Sequence, residues 1–197
     1  MAPVTASFRP PTPTKERSLD ADAVRRDIET WIDRAVIGWG LCPFAAPVVR
    51  AAQMRIVVRD DAEVSAMLEA VIDELVAVAA PEATVRTTLI VAPVALADFD
   101  ELLDAAALID DVIDRVGLRG KIQLAHFHPD YLFEGAATDD LANWTNRAPH
   151  PILHLLREDD VAEAVARYPD ADGIPERNVA RLRGMSLDAI MAACRPR

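Results

Sequence analysis

The segment AHFHPDYLFEG, residues 125–135, holds His126, His128 and Asp130 close together. Imidazole and carboxylate groups bind borderline transition metals, and they are also common acids and bases of enzymes. The segment ends an apolar run, so we expect it at the carboxyl end of a strand, where ligand sites of open α/β sheets generally lie. The alternative is structural: His126 packs at the rim of the core, while Pro129 and Asp130 form a turn.

A second pair of histidines, His150 and His154, follows in HPILH, and these complete the 4 histidines of the chain. Their spacing puts both side chains on one face, whether the segment is helix or strand. Four neighbouring imidazoles would bind Zn, Fe, Cu or Ni. Closeness in sequence does not by itself bring side chains together, so the four-histidine site is a hypothesis.

Cys42 lies in GLCPFAAP, directly after the first predicted helix. Because Pro43 is suited to open a helical turn, we place Cys42 at an N-cap, where backbone N–H groups would stabilise a thiolate. Such a thiolate is a nucleophile or a soft metal ligand, whereas the alternative is a buried thiol that packs as a small apolar residue. The second cysteine, Cys194, is distant in sequence, and two thiols do not indicate a disulfide framework.

The segment ANWTNRAPHP supplies further polar groups between the two histidine pairs. Arg147 offers a planar fork for a carboxylate or phosphate. Asn143 and Asn146 either orient a substrate or tie the loop to itself. Arg157 either contributes to the site or forms an exposed pair with Glu158 of little energetic weight.

Apolar periodicity predicts the elements that position these residues. After a mobile tail at residues 1–18, we expect a single α/β domain over 19–197, of the βαβαβ type, with a mostly parallel sheet and extra C-terminal helices. A long, functional loop is expected after the third strand, over 128–151. The predicted strands are 54–60, 87–93 and 121–127, and 151–158 is either a fourth strand, which we favour, or the start of a helix. The predicted helices are 24–39, 62–80, 97–117 and 159–169, with one or two more in 174–194.

Charge and hydropathy narrow the classes of function. The net charge of -11 argues against duplex DNA or RNA as a partner, since phosphate binding draws on clustered Lys and Arg. No segment has the apolar run of a signal peptide or a membrane span, which predicts a cytoplasmic protein. The oligomeric state stays open.

Several motifs together resemble a known family. GLCPFA, FHPDYLF, NWTNRAPHPILHLLRE and IPERN are similar to the bacterial proteins catalogued as domain of unknown function fourteen-fifteen, over most of residues 20–190. The resemblance implies a shared site without a named reaction, and His126 and His150 stand where other members need not have histidine. The positions that match the family pattern are Cys42, Pro43, His128, Pro129, Tyr131, Asn146, Arg147, Pro149, His154 and Arg157.

The resemblance therefore favours a smaller site of Cys42, His128 and His154, with Arg147 as an anion anchor. We expect an enzyme acting on a small, anionic metabolite. A transition metal, Zn or Fe, would be held by His128 and His154 with Cys42 or Asp130, and His126 would be a further candidate ligand.

Two other mechanisms stay open. In a thiol enzyme, Cys42 attacks, His128 or His154 is the base, and Asn146 donates to an oxyanion. In a non-catalytic module, Arg147 and the long loop bind an anionic metabolite. Tyr131, Arg157 and Asn143 would contact the substrate in any of these.

Overall fold

The computed structural model describes residues 19–168 and 170–194, so the tail predicted at 1–18 lies outside the described residues. A π-helical segment, Ile32–Ile37, continues the first helix, and a 3-10 turn, Leu141–Thr145, lies between the last two strands. The strands are β1 (Met54–Val58), β2 (Thr87–Val91), β3 (Ile122–Phe127) and β4 (Ile152–Arg157). The α-helices of the described residues are α1 (Ala21–Trp31), α2 (Ala45–Arg50), α3 (Val64–Ala79), α4 (Phe99–Arg115), α5 (Glu158–Arg167), α6 (Ile174–Arg183) and α7 (Leu187–Cys194).

The boundaries of α4 show how local sequence sets these elements. The Asp98 carboxylate accepts hydrogen bonds from the backbone N–H groups of Asp100 at 2.9 Å and Glu101 at 3.3 Å. These N–H groups would otherwise lack partners at the start of the helix. The helix ends before Gly117, whose φ of +71° is open to glycine at little steric cost. α4 consequently occupies the predicted position and connects β2 to β3.

The four strands form one mixed sheet in the order β1-β2-β4-β3. β1 pairs with β2 in parallel, whereas β4 is antiparallel to both β2 and β3. The expectation of a mostly parallel sheet is therefore wrong. The strand–helix alternation did predict that β1, β2 and β3 share a direction, because helices cross over between them. No crossover helix precedes β4, which returns from the loop and inserts between β2 and β3.

Side chains alternate between the two faces of this sheet. The first face carries Ile90, Leu153 and Leu155 and packs against α3 and α4. The second face carries Leu89 and Ile152 and packs against α1, the π-helical segment and α7. The helices cover only part of the second face, and the candidate site lies over the rest. Among the described residues, no helix combines the length and apolar character needed to cross a membrane.

Candidate functional site

A mostly apolar cavity of about 1360 Å³ lies over the second face of the sheet. Its walls come from the π-helical segment, the residues around Cys42, the loop between β3 and β4, and helices α5 and α6. The strand residues that form its floor are Met54, Thr87, Leu89, Gln123, Ala125, Phe127, His154 and Leu156.

Four of the residues singled out in the sequence line this cavity, although they are far apart in the chain: Cys42, Asn146, His154 and Arg157. The remaining candidates, His126, His128, Asp130, Tyr131, Asn143 and Arg147, are not part of its lining. The structure thus brings together one thiol, one imidazole, one amide and one guanidinium from the predicted set.

His154 is part of the cavity floor. Its Nε2 lies 2.7 Å from the hydroxyl oxygen of Thr87 on the neighbouring strand. Burial lowers the pKa of His154 from 6.5 to about 4. The ring is consequently neutral at neutral pH and offers hydrogen bonds rather than charge.

Cys42 follows the π-helical segment through a turn at Gly40, whose φ of +66° suits glycine. The residue at the N-cap of α2 is Phe44, not Cys42 as predicted. Burial is the largest influence on the thiol and raises its pKa above 9.0, although hydrogen bonds from the backbone of Phe44 and Ala45 act in the opposite direction. Cys42 is therefore a protonated thiol at neutral pH, partly exposed to the cavity.

His128 is buried away from the cavity, and both of its ring nitrogens have partners. Nε2 lies 3.2 Å from the carbonyl oxygens of Leu96 and Ala97, and Nδ1 accepts a hydrogen bond from the backbone N–H of Asp130 at 3.0 Å. Its ring also packs against Phe99, with centroids 5.3 Å apart. These bonds would have to break before His128 bound a metal or removed a proton, so its position fits a structural role.

The other two histidines point elsewhere. His126 lies on the same face of β3 as Ile122 and Leu124, and this is the face of the sheet opposite to that of His154. Its ring stacks on Tyr131 at 5.6 Å, burial lowers its pKa, and its Nδ1 is buried without a hydrogen-bond partner. His150 pairs with Asp27 of α1 at 3.0 Å. The four histidines do not form one site.

The donor groups expected to hold a metal are also separated. Across residues 19–168 and 170–194, no three His, Cys, Asp or Glu side chains are placed to share a metal ion. Cys42 and His154 lie at the cavity, whereas His126, His128 and Asp130 do not. The donor groups predicted to bind zinc or iron are therefore not grouped at one place in this structure.

Asn143 ties the long loop to itself, which was one of the two roles predicted for it. Its side chain is fully buried. The amide oxygen accepts a hydrogen bond from the backbone N–H of Phe133 at 3.2 Å, and the amide nitrogen donates to the carbonyl of Ala137 at 2.9 Å. Asn146, in contrast, reaches the cavity while its Nδ2 donates to the carbonyl of His126 at 3.3 Å.

Arg147, like Asn143, bonds to the backbone of the long loop. Its guanidinium donates to the carbonyl oxygens of Tyr131 at 3.0 Å and Thr138 at 3.1 Å. It also lies over the ring of Trp144, 5.2 Å from the centroid. The arrangement holds the two ends of the loop together, and the expected anion anchor is directed at backbone carbonyls.

Charged groups around the cavity were mostly missed by sequence reasoning. Arg86 and Asp160 pair across its edge, with Nε and Oδ2 2.8 Å apart. Asn178, from the IPERN motif, donates to the carbonyl of Leu41 at 2.7 Å and so holds the wall next to Cys42. Only the motif hinted at Asn178, and no local pattern pairs Arg86 with Asp160, because they are distant in the chain.

The comparisons with known proteins add a family and nothing further. A family model described as a protein of unknown function (DUF1415) matches residues 23–192. No curated protein and no solved structure matches the chain significantly.

Proposed function

Because this chain belongs to the DUF1415 family, whose description names no reaction, we propose a function from its cavity: an enzyme that transforms a small organic molecule, with Cys42 and His154 as the reacting groups. One observation carries the proposal. A thiol and a neutral imidazole from distant parts of the chain line the same cavity. Pockets that hold drug-sized ligands measure roughly 300–1,000 Å³, so the cavity has room for such a molecule.

The proposed chemistry starts from a protonated thiol. The Cys42 sulfur adds to a carbonyl carbon of the ligand as its proton moves to Nδ1 of His154, and the electron pair of the C=O π bond moves to the carbonyl oxygen. Asn146 also lines the cavity, and in this reaction it would exchange its present hydrogen bond to the carbonyl of His126 for one to the ligand oxygen. No step passes through a metal, since the expected ligands do not come together.

A second candidate is a binding protein without turnover. It is favoured by the pKa values, since the pKa of Cys42 is raised and that of His154 is lowered. Both groups are then neutral and poorly activated at neutral pH. A cavity of this kind binds uncharged molecules well without chemistry.

We also propose a cytoplasmic location. Cys42 and Cys194 are both free thiols. Free thiols persist in the reducing cytoplasm, whereas oxidising compartments favour disulfides.

Incubation of the protein with a small-molecule extract of bacterial cells, followed by mass spectrometry, separates the two candidates. The enzyme proposal expects a metabolite that is consumed by the wild type and spared by Cys42→Ser and His154→Gln. Cys194→Ser is the matched control and should consume it normally, because Cys194 is buried outside the cavity. Equal consumption by all variants would contradict the roles of Cys42 and His154.

A metabolite that is retained by the protein but unchanged would favour the binding candidate. Retention is measured by desalting the protein, denaturing it and identifying what is released. A cavity-filling variant, Ala125→Trp, should lose retention in that case, because Ala125 is on the cavity floor.

A further inference from the structure

The hydroxyl of Thr87 contacts both His154 and a backbone carbonyl. The hydroxyl oxygen lies 2.8 Å from the carbonyl oxygen of Leu155 and 2.7 Å from Nε2 of His154. A carbonyl only accepts hydrogen bonds, so the single hydroxyl hydrogen of Thr87 is used on Leu155. The hydroxyl must then accept from His154, which requires the proton on Nε2.

The other ring nitrogen is left as an acceptor. Nδ1 of His154 has no hydrogen-bond partner among the described residues, and the only unpartnered buried side-chain nitrogen or oxygen among them is Nδ1 of His126. Nδ1 of His154 is therefore accessible, and the space next to His154 is the cavity that it lines. A ligand meets an unprotonated nitrogen there.

Most of the charged groups around the cavity already have partners in the protein. It is lined by four arginines and four carboxylates, and most of the remaining lining is apolar. Each arginine has a partner in the protein: Arg86 pairs with Asp160, Arg183 with Asp140, Arg167 with Glu163, and Arg157 with the carbonyls of Val78 and Ala80. An anion would have to displace one of these partners, and a cation would have to compete with an arginine at three of the four carboxylates, all but Glu134.

We infer that Thr87 holds His154 in the Nε2–H tautomer, so that the cavity accepts uncharged, largely apolar molecules that donate a hydrogen bond to Nδ1. Thr87 is a positioning residue, since it acts through His154. The inference rests on the proposed function only in taking the cavity as the ligand site, and it deepens the binding candidate, because a ligand that donates to Nδ1 occupies the nitrogen that would receive the Cys42 proton. It replaces the anionic metabolite expected from the sequence with a neutral hydrogen-bond donor, such as a phenol, an alcohol or an amide N–H.

The tautomer is tested on the free protein by nitrogen-15 NMR of labelled histidine at neutral pH. The signals of His154 are those lost in His154→Gln. We expect a protonated Nε2 and an unprotonated Nδ1, retained in Thr87→Ser and lost to a mixture in Thr87→Val. A protonated Nδ1 in the wild type, or an unchanged tautomer in Thr87→Val, would overturn the role of Thr87. Neither readout depends on whether the protein is an enzyme.

The ligand class is tested with naphthalene derivatives, titrated while the His154 signals are observed. We expect 2-naphthol to bind roughly two- to tenfold more tightly than 2-methoxynaphthalene, the effect of one net hydrogen bond. The charged 2-naphthoate and 2-naphthylmethylammonium should bind more weakly than 2-naphthol. Thr87→Val should reduce the preference for 2-naphthol, and Thr87→Ser should keep it.

Tighter binding of either charged compound, or no binding of any of the four, would overturn the ligand class. Failure of the proposed enzyme looks different. In that case no metabolite is consumed, while the tautomer and the preference for 2-naphthol remain.

Discussion

Arg86 and Asp160 join the residue before β2 to the first turn of α5, with Nε of Arg86 2.8 Å from Oδ2 of Asp160. A second guanidinium nitrogen contacts the other carboxylate oxygen, so the pair is bidentate. Both side chains are 28% exposed, and the hydrogen bond to Asp160 raises the pKa of Arg86. Both residues line the cavity.

The ion pair of Arg86 and Asp160 should contribute more to the free energy of unfolding than an exposed ion pair does. In a double-mutant cycle with Arg86→Met and Asp160→Asn, we expect a coupling of about 1 kcal/mol in the free energy of unfolding, measured with urea. Arg167 and Glu163, which are 77% and 61% exposed on α5, form the matched control. We expect roughly 0.3 kcal/mol for that pair. Equal coupling in the two cycles would show that burial adds nothing to the Arg86 pair.

Replacing His128 should cost stability and leave the cavity intact. His128→Phe removes the partners of two carbonyls and one backbone N–H, so we expect a loss of roughly 3 kcal/mol in the free energy of unfolding. His128→Gln keeps a hydrogen-bonding group and should cost less. Binding of 2-naphthol, measured where the variant is folded, should be unchanged. A stable His128→Phe protein that no longer binds the probe would instead put His128 in the site.

The lowered pKa of His154 makes stability depend on pH. Between its usual value of 6.5 and its folded value of about 4, the unfolded chain binds more protons than the folded one. The free energy of unfolding should therefore fall as pH drops through this window, by up to about 3 kcal/mol, and be unaffected by this group above it. Subtracting the urea-unfolding profile of His154→Gln isolates this contribution. Parallel profiles would mean that His154 is not desolvated.

The two cysteines should react very differently with a neutral disulfide such as 4,4′-dithiodipyridine. Cys42 is partly exposed to the cavity, whereas Cys194 is buried and its pKa is raised to about 12. We expect one thiol to react in the folded protein and the second only on unfolding. Because burial raises the pKa of Cys42 above 9.0, the rate at which Cys42 reacts should still increase with pH at pH 9.0. Loss of the fast phase in Cys42→Ser identifies it, and a rate that levels off near neutral pH would indicate a stabilised thiolate.

Removing Arg147 should loosen the loop without removing an anion site. Arg147→Ala breaks the hydrogen bonds to the carbonyls of Tyr131 and Thr138. We expect faster hydrogen exchange over residues 131–138 and a loss of about 1–2 kcal/mol in the free energy of unfolding. Inorganic phosphate should raise the melting temperature of the wild type and the variant equally. Stabilisation by phosphate in the wild type alone would restore the predicted anion anchor.

The sequence by itself determined most of the local structure. The spacing of apolar residues, which has the period of a strand in some segments and of a helix in others, predicted the positions of β1 to β4 and α3 to α5. Burial of one face of a helix or strand requires apolar residues at that spacing. A family model over residues 23–192 confirms the family that was expected from the motifs. These motifs also included two residues that line the cavity, Cys42 and His154.

Only the tertiary structure decided the direction of β4 and the grouping of side chains. Strand direction depends on how the chain returns to the sheet, and the loop before β4 carries no periodic signal. His126 and His154 were expected in one cluster, yet the alternation of side chains across neighbouring strands puts them on opposite faces. His128 contacts backbone carbonyls and Thr87 contacts His154, and in both cases the two partners are distant in the chain. Such pairings depend on register and packing, which no local pattern of residues encodes.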